Sequence, residues 1–351
     1  MLFCTFVCYK ISTTQEKNSR NVARSVATHN LLPITLTLIL LAIVSALRGA
    51  IAPVEAETIA NIPTPVGALL QRAGASIPVL STIAWIISVI YSGLCIGRCG
   101  IRFSIYPAYT IIGIPILGIV ASCVMMSHEM LLSSATLLVA TWAMKYLLRY
   151  IMVTDSYGDL SLAMLYFGLL PLMFAPAAIL YPCFALMMLL IKPHWRDWVT
   201  GITSLIFPLL ALCYWSWCAG SGFSTPITEC YFALILPSGF TALSLIGGAS
   251  FGVLAIVAVM VVCSATIYLS DKYSLNGRAR VAMRFIIVMI ALATVMLLMP
   301  SSSATALSLL AIPVSSLVPL MFIKMKHSIT QLLWRALLLM VALNIIVMIF
   351  M

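Results

Sequence analysis

The chain has 351 residues, of which 63% are hydrophobic and 8% are charged, and its formal net charge is +10. This number of polar side chains is too small to cover the surface of a water-soluble domain. The composition therefore excludes a soluble globular protein. The basic residues lie in short clusters between apolar runs and form no dense patch. The charge therefore indicates membrane topology and excludes nucleic acid as a partner.

Charge-free apolar runs fill residues 198–228, 230–270 and 285–323. About 20 apolar residues cross a bilayer as a helix, because a helix bonds its own backbone polar groups where no water is present. The expected fold is all-α, a polytopic transmembrane helical bundle. We expect a basic cytoplasmic segment at 1–30 and a single transmembrane domain at 31–351.

Basic clusters give the order of the spans along the chain. Cytoplasmic loops are rich in Lys and Arg, so an even number of spans must separate successive basic clusters. The cluster within 10–24 places the N-terminus in the cytoplasm. The apolar runs then predict about eleven spans, with short proline-broken helices, and a C-terminus on the far side of the membrane. The expected spans are 31–47, 77–97, 107–126, 131–148, two within 160–191, 198–218, 247–269, two within 284–324, and 336–350.

The run from Leu160 to Ile191 is too long for one span. As a single helix it would extend about 48 Å at 1.5 Å per residue, against a hydrocarbon core of roughly 30 Å. Pro171 and Pro176 disfavour a continuous helix at its middle. We therefore predict two short helices that fold back.

Two parts of the chain leave alternatives open. Residues 219–246 are interpreted as an external segment, but the apolar stretch from Tyr231 to Leu245 also fits two extra spans. At the start, the basic leader, the apolar core and the triplet Ala-Ile-Ala at 50–52 also fit a cleaved signal peptide.

Three basic and aromatic segments between apolar helices carry a resemblance to a known family. They are LLIKPHWRDWVTGITSLIFPLL (189–210), GRCGIRFSIYPAY (97–109) and KMKHSITQLLWRALLLMVALN (324–344). Together they resemble an uncharacterised family of multi-pass inner-membrane proteins of Bacteroidota, over most of the chain from about Leu31. The resemblance implies location in the cell inner membrane and a cell-envelope role, but it brings no assigned activity. With the basic clusters, it implies a cytoplasmic N-terminus and a periplasmic C-terminus.

A second resemblance implies a mechanism. Paired short helices with a proline break, followed by a basic turn and another apolar helix, are similar to the membrane half of polyprenyl-phosphate-dependent glycosyltransferases. Those enzymes carry an acidic residue in the first external loop as general base or metal ligand. Here that loop holds Glu55 and Glu57, which the resemblance implies as catalytic residues, with a polyprenyl-linked lipid as a partner. The chain departs from the pattern in having two glutamates and no aspartate there, and it lacks the large soluble domain of many members.

Other polar residues have both a functional and a structural interpretation. The cluster of Lys192, His194, Trp195 and Arg196 could contact lipid head groups, or it could simply hold a loop at the membrane interface. The residues alone favour the interpretation that Glu55 and Glu57 are solvated loop residues, because no second acidic cluster completes a site.

Single polar residues elsewhere favour structural roles. Glu129 and His128 fit an acid–base pair at an external turn, but they are interpreted as caps of a tight hairpin, where any polar residues would serve. Lys145 and Arg149 lie near a span end, where they can reach the interface, and Asn344 is expected to make a hydrogen bond between helices.

The sequence does not decide among three classes of function. These are an envelope glycosyltransferase-like enzyme, a transporter or lipid flippase, and a non-catalytic membrane subunit. No Cys and His spacing indicates a metal site, and no cofactor or protein partner can be named. The lipid bilayer is the one partner that the composition requires.

Overall fold

The computed structural model of the protein describes residues 64–350 except 104, 107–111, 125–128, 154–155, 192–193, 237–245, 271–274 and 326, and only the backbone of 327 and 348–350. Within these residues every regular element is a helix. The α-helices are α1 (Pro65–Ser76), α2 (Pro78–Arg102), α3 (Gly113–Ala121), α4 (Met130–Met152), α5 (Tyr157–Met173), α6 (Tyr181–Ile191), α7 (Trp195–Cys218), α8 (Thr225–Ile235), α9 (Gly248–Ser270), α10 (Gly277–Leu298), α11 (Thr305–Leu317), α12 (Pro319–Lys324) and α13 (His327–Phe350). A 3₁₀ helix (Ala175–Leu180) joins α5 to α6.

Seven helical segments of the described residues are long and apolar enough to cross a membrane. They are α2, α4, α7, α9, α10, the consecutive pair α11 and α12, and α13. Each overlaps a span expected from the sequence. The span expected at 107–126 contains only the nine-residue α3, and the two spans expected within 160–191 correspond to α5 and to the 3₁₀ helix with α6. The span expected at 31–47 lies outside the described residues. The protein is thus an all-helical, multi-pass bundle, and the count of eleven spans is not confirmed.

Helices α3 and α11 form the centre of the bundle, and every residue of both is buried. They pack against each other, and α2 and α4 also pack against α11. Helix α3 has no polar side chain, so it can be buried on all sides without leaving a side-chain polar group unsatisfied. On α11, Ser308, Ser315 and Ser316 donate to carbonyl groups three or four residues earlier in the same helix, which satisfies their hydroxyls inside the core.

Basic residues at the ends of several helices meet at one end of the bundle. Arg278, at the start of α10, donates through Nη1 to the carbonyl of Met152 at the end of α4, at 3.3 Å. Arg149, also near the end of α4, forms an ion pair of 3.1 Å with Asp159 at the start of α5. We call this end the basic end.

Helices α2 and α4 run parallel, so the end of α2 also lies at the basic end. The hydroxyl of Thr82 contacts the sulfur of Met130 at the starts of the two helices. Further along, the indole of Trp142 donates to the hydroxyl of Tyr91 at 3.0 Å. The residues Arg98 and Arg102 of α2 therefore lie beside the C-terminal part of α4.

The break predicted within 160–191 is confirmed. Phe174 is extended (φ −143°, ψ 98°), and the 3₁₀ helix that follows has Pro176 in its first turn. Pro171 lies inside α5. The 3₁₀ helix follows α5 and packs against α8, which follows α7. The C-terminal ends of α5 and α7 therefore lie on the same side of the bundle. Helix α6, which lies between them in the chain, must run in the opposite direction.

The segment after α7 begins with a tight turn. Gly220 (φ 83°) and Gly222 (φ 91°) adopt left-handed backbone conformations, which glycine tolerates without steric cost, and Ser216 donates its hydroxyl proton to the carbonyl of Gly222. Helix α8 then covers 11 residues, too few to cross a bilayer. Residues 237–245 lie outside the described residues, so an external segment and two extra spans both remain open.

Candidate functional site

A carboxylate is buried at the end of the bundle opposite the basic end. Glu129 directly precedes α4 and is only 1% exposed. The hydroxyl of Thr305 donates to its Oε2 at 3.3 Å, and the Ser303 hydroxyl and the Thr305 backbone N–H also bond to the carboxylate. Glu129 therefore links the start of α4 to the start of the central helix α11.

The hydrogen-bonded chain continues from Glu129 into α4. The hydroxyl oxygens of Ser133 and Thr305 are 3.1 Å apart. A hydroxyl has one proton, so when Glu129 is ionised and accepts the proton of Thr305, Ser133 donates to Thr305. Each hydroxyl in this chain can both donate and accept, so a change in the protonation of Glu129 can reorient its neighbours.

Glu129 adds to the capping of α11, whose first N–H group, that of Thr305, also donates to the Ser303 hydroxyl oxygen at 3.3 Å. The residue before α11 is Ala304, which has no side-chain oxygen, and no side chain caps the helix from that position. The first N–H groups of a helix have no partner within the helix and carry partial positive charge. A carboxylate brought from the start of α4 satisfies both requirements, which explains an acidic residue at this buried position.

Burial raises the pKa of Glu129 above its ordinary value of 4.5, and the bonds from Ser303 and Thr305 oppose that rise. No charged side chain contributes to the shift. Among the described residues, no Lys, Arg or His pairs with Glu129, whereas Asp159 is paired with Arg149. The carboxyl group can therefore keep a proton at a pH where a surface glutamate is ionised.

The interpretation that any polar side chain would serve at the position of Glu129 is wrong. The side chain is enclosed, and its oxygens have specific donors. His128 lies outside the described residues. The available sequence signal was the abundance of hydroxyl residues at 133–136 and 301–305, because a buried carboxylate needs such donors.

The proposed lipid-head cluster lies at the start of α7. His194, Trp195 and Arg196 are all exposed, as both the lipid-contact and the interface-anchor interpretations require, while Lys192 lies outside the described residues. The adjacent Asp197 is buried, and its Oδ2 accepts the backbone N–H of His194 at 3.1 Å, so it caps α7. The cluster is not part of the Glu129 site.

The catalytic residues implied by the glycosyltransferase resemblance, Glu55 and Glu57, lie outside the described residues. Their assignment stays a prediction. Among the residues that the structure describes, no group of three or more His, Cys, Asp or Glu could hold a metal ion.

A second buried polar group joins three helical segments and confirms the prediction for Asn344. The hydroxyl of Ser250 in α9 donates to Oδ1 of Asn344 in α13 at 2.8 Å. The amide nitrogen of Asn344 in turn donates to the carbonyl of Cys123, just beyond α3, at 3.3 Å. Both polar atoms of the Asn344 amide have protein partners, so the group stabilises helix packing.

Comparison of the chain with protein-family profiles, with curated proteins and with solved structures finds no match. The candidate site must therefore be judged from its own geometry. Its features are a buried carboxylate, two bonded hydroxyls and the start of a central helix.

Proposed function

We propose that this chain is a multi-pass protein of the bacterial inner membrane that serves the cell envelope, as its resemblance to the Bacteroidota family implies. The proposed arrangement has about eleven spans, a cytoplasmic N-terminus and a periplasmic C-terminus. Its support is the grouping of Arg102, Arg149 and Arg278 at one end of the bundle, because cytoplasmic span ends are enriched in basic residues. Glu129 then lies at the periplasmic end.

Within this setting, the activity that the site supports best is proton-linked transport. The observation that carries this proposal is the burial of Glu129 without a basic partner in the described residues. Burying a carboxyl group within a membrane domain is costly, so ionisable residues at such positions usually belong to a proton or substrate pathway. A glutamate with a raised pKa can take up a proton from the periplasmic side and release it when the bundle rearranges.

Interrupted helices in the same bundle favour the same class of function. Helix α11 is followed at Val318 by the separate short helix α12, and α5 gives way to the 3₁₀ helix after Phe174. Secondary transporters commonly build their sites from such broken helices, whose ends present unpaired backbone groups to polar ligands.

The enzymatic alternative rests on Glu55 and Glu57 and remains a separate hypothesis. Glu129 does not provide its general base, because the carboxylate is enclosed and already bonded to Thr305 and Ser303. A general base must reach the proton that it removes from an acceptor.

The transport proposal is tested with protein reconstituted in liposomes on a solid support, where solutes are applied in turn and transient currents are recorded. We expect a solute-dependent current in the wild type that changes with pH. Glu129→Gln keeps the shape of the side chain but cannot titrate, so the pH dependence should disappear. The matched control is Glu229→Gln, which removes a partly exposed carboxyl from α8.

Two results would contradict the proposal. One is a Glu129→Gln current with the same pH dependence as the wild type. The other is no current with any solute, together with full rescue of a deletion strain by Glu129→Gln. The second result would favour the non-catalytic subunit.

A further inference from the structure

One face of α4 is only partly covered by the rest of the bundle. The incompletely buried residues recur every three or four positions, so they form a single stripe along the helix, while the positions between them are mostly buried. The stripe consists of Leu131, Ala135, Leu138, Trp142, Lys145, Tyr146 and Arg149.

Aromatic residues of α2 and α5 flank this stripe on its two sides. The ring of Trp142 lies 6.4 Å from that of Tyr91 in α2 and 5.5 Å from that of Tyr166 in α5, measured between centroids. Tyr166 also stacks on Tyr146 at 6.0 Å. The stripe is therefore the floor of a groove with aromatic sides, which we call the α4 groove.

The α4 groove contains a cation without an anionic partner among the described residues. Lys145 places Nζ 5.4 Å from the centroid of the Tyr146 ring and forms no ion pair with a described carboxylate. It lies seven residues before the end of α4, or about 10 Å from that end along the helix axis. Arg98 lies seven residues after Tyr91 and therefore on the same face of α2, so a second positive charge lies on this side of the groove toward the basic end.

The rest of the groove is apolar. Leu138 and Trp142 continue the floor away from Lys145, and the stripe from Leu131 to Lys145 spans about 21 Å. Half of the hydrocarbon core measures roughly 15 Å, so the groove is long enough for the acyl chain of a lipid whose head group lies at Lys145 to cross one whole leaflet. The residues Ile90 of α2 and Leu162 of α5, beside the groove, are exposed and apolar, as on a surface that faces lipid.

We propose that the α4 groove binds an anionic phospholipid, with its phosphate at Lys145 and Arg98 and one acyl chain along Trp142 and Leu138. A phosphate would neutralise charges that are costly to leave unpaired beside hydrocarbon. The aromatic rings provide a rigid apolar surface for the acyl chain, and the indole N–H of Trp142 is already bonded to the hydroxyl of Tyr91. This site is independent of Glu129 and of the transport proposal.

Native mass spectrometry of the purified protein, with phosphatidylglycerol and phosphatidylcholine added in equal amounts, tests the proposal. The wild type should retain phosphatidylglycerol preferentially. Lys145→Gln should lower that retention about fivefold, because one basic residue near a membrane surface contributes roughly that factor to anionic lipid binding. Lys145→Arg should restore it.

The matched control is Arg335→Gln, which removes one exposed charge from the apolar helix α13. Equal losses in Lys145→Gln and Arg335→Gln would indicate attraction by net charge alone and overturn the proposal. Displacement of the lipid by inorganic phosphate would also overturn it, because the site would then recognise a free anion without need of the acyl chain.

A second measurement uses the wild type and does not depend on the folding of any variant. Phosphatidylglycerol with a photoreactive acyl chain is cross-linked to the protein in liposomes, and the adducts are located by peptide mapping. Adducts on 138–149, or on α5 near Tyr166, support the proposal. Adducts found only on other helices would refute it.

Discussion

The contact between α5 and α7 allows a sharp test of the packing, through Gly168→Ala. Gly168 is buried in α5 and faces the backbone of Leu205 in α7. A Cβ at this position would lie 3.0 Å from the carbonyl carbon and 3.3 Å from the Cα of Leu205, and it would overlap the carbonyl oxygen. Because backbone atoms cannot rotate aside like a side chain, the two helices would have to separate.

The expected cost follows from two opposing effects. Overpacking of a tight contact costs about 1–3 kcal/mol. Alanine favours a helix over glycine by about 1 kcal/mol, which offsets part of that cost. The net loss of stability for Gly168→Ala should therefore be about 0–2 kcal/mol.

Gly158→Ala is the matched control, since it makes the same substitution in the same helix. Its Cβ would meet only the hydroxyl oxygen of Ser156 at 4.0 Å, so it should keep stability or raise it by up to about 1 kcal/mol. Thermal unfolding in detergent, followed by tryptophan fluorescence, compares both variants with the wild type. A Gly168→Ala midpoint equal to or above that of Gly158→Ala would refute the contact between α5 and α7.

Three other outcomes can be measured directly. The raised pKa of Glu129 means that the folded protein holds its proton more tightly than the unfolded chain. This contribution to stability should be fully present below about pH 4.5 and decrease as the pH rises, and Glu129→Gln but not Glu229→Gln should remove that dependence in unfolding titrations. Asn344→Leu should cost about 1 kcal/mol in chemical unfolding, and an unchanged midpoint would show that its bonds do not stabilise the packing. Reporter fusions after Met351 and near Gly277 should give opposite readouts, and identical readouts would exclude the proposed orientation.

Several features of the fold were predictable because they depend on short stretches of chain. The length of an apolar run decides whether it can span a bilayer, and this property is local, so the seven long helical segments overlap expected spans. The break after Phe174 was also predictable, since the run is too long for one span and contains Pro171 and Pro176. The bond of Asn344 followed from the cost of an unpaired amide in an apolar helix.

The candidate site was not predictable to the same degree. The position of Glu129 between apolar runs indicates a turn, and the residues next to it do not predict that other parts of the protein bury this turn. Its burial results from the approach of residues 303–305, which are more than 170 positions away in the chain. The glutamates that the sequence did suggest, Glu55 and Glu57, lie outside the described residues, so their role is still a prediction.

By itself, the sequence determined that the protein is a helical membrane protein and where most of its long helices lie, because burial in lipid constrains each segment separately. Only the tertiary structure decided which polar or small residues have a special position. Gly158 and Gly168 are the same residue in the same helix, yet only Gly168 meets another backbone. Lys145 could have reached the interface like Arg149, but it lies against Tyr146 in the α4 groove. Such differences depend on which segments meet in space, and contacts between distant parts of the chain leave no local pattern in the sequence.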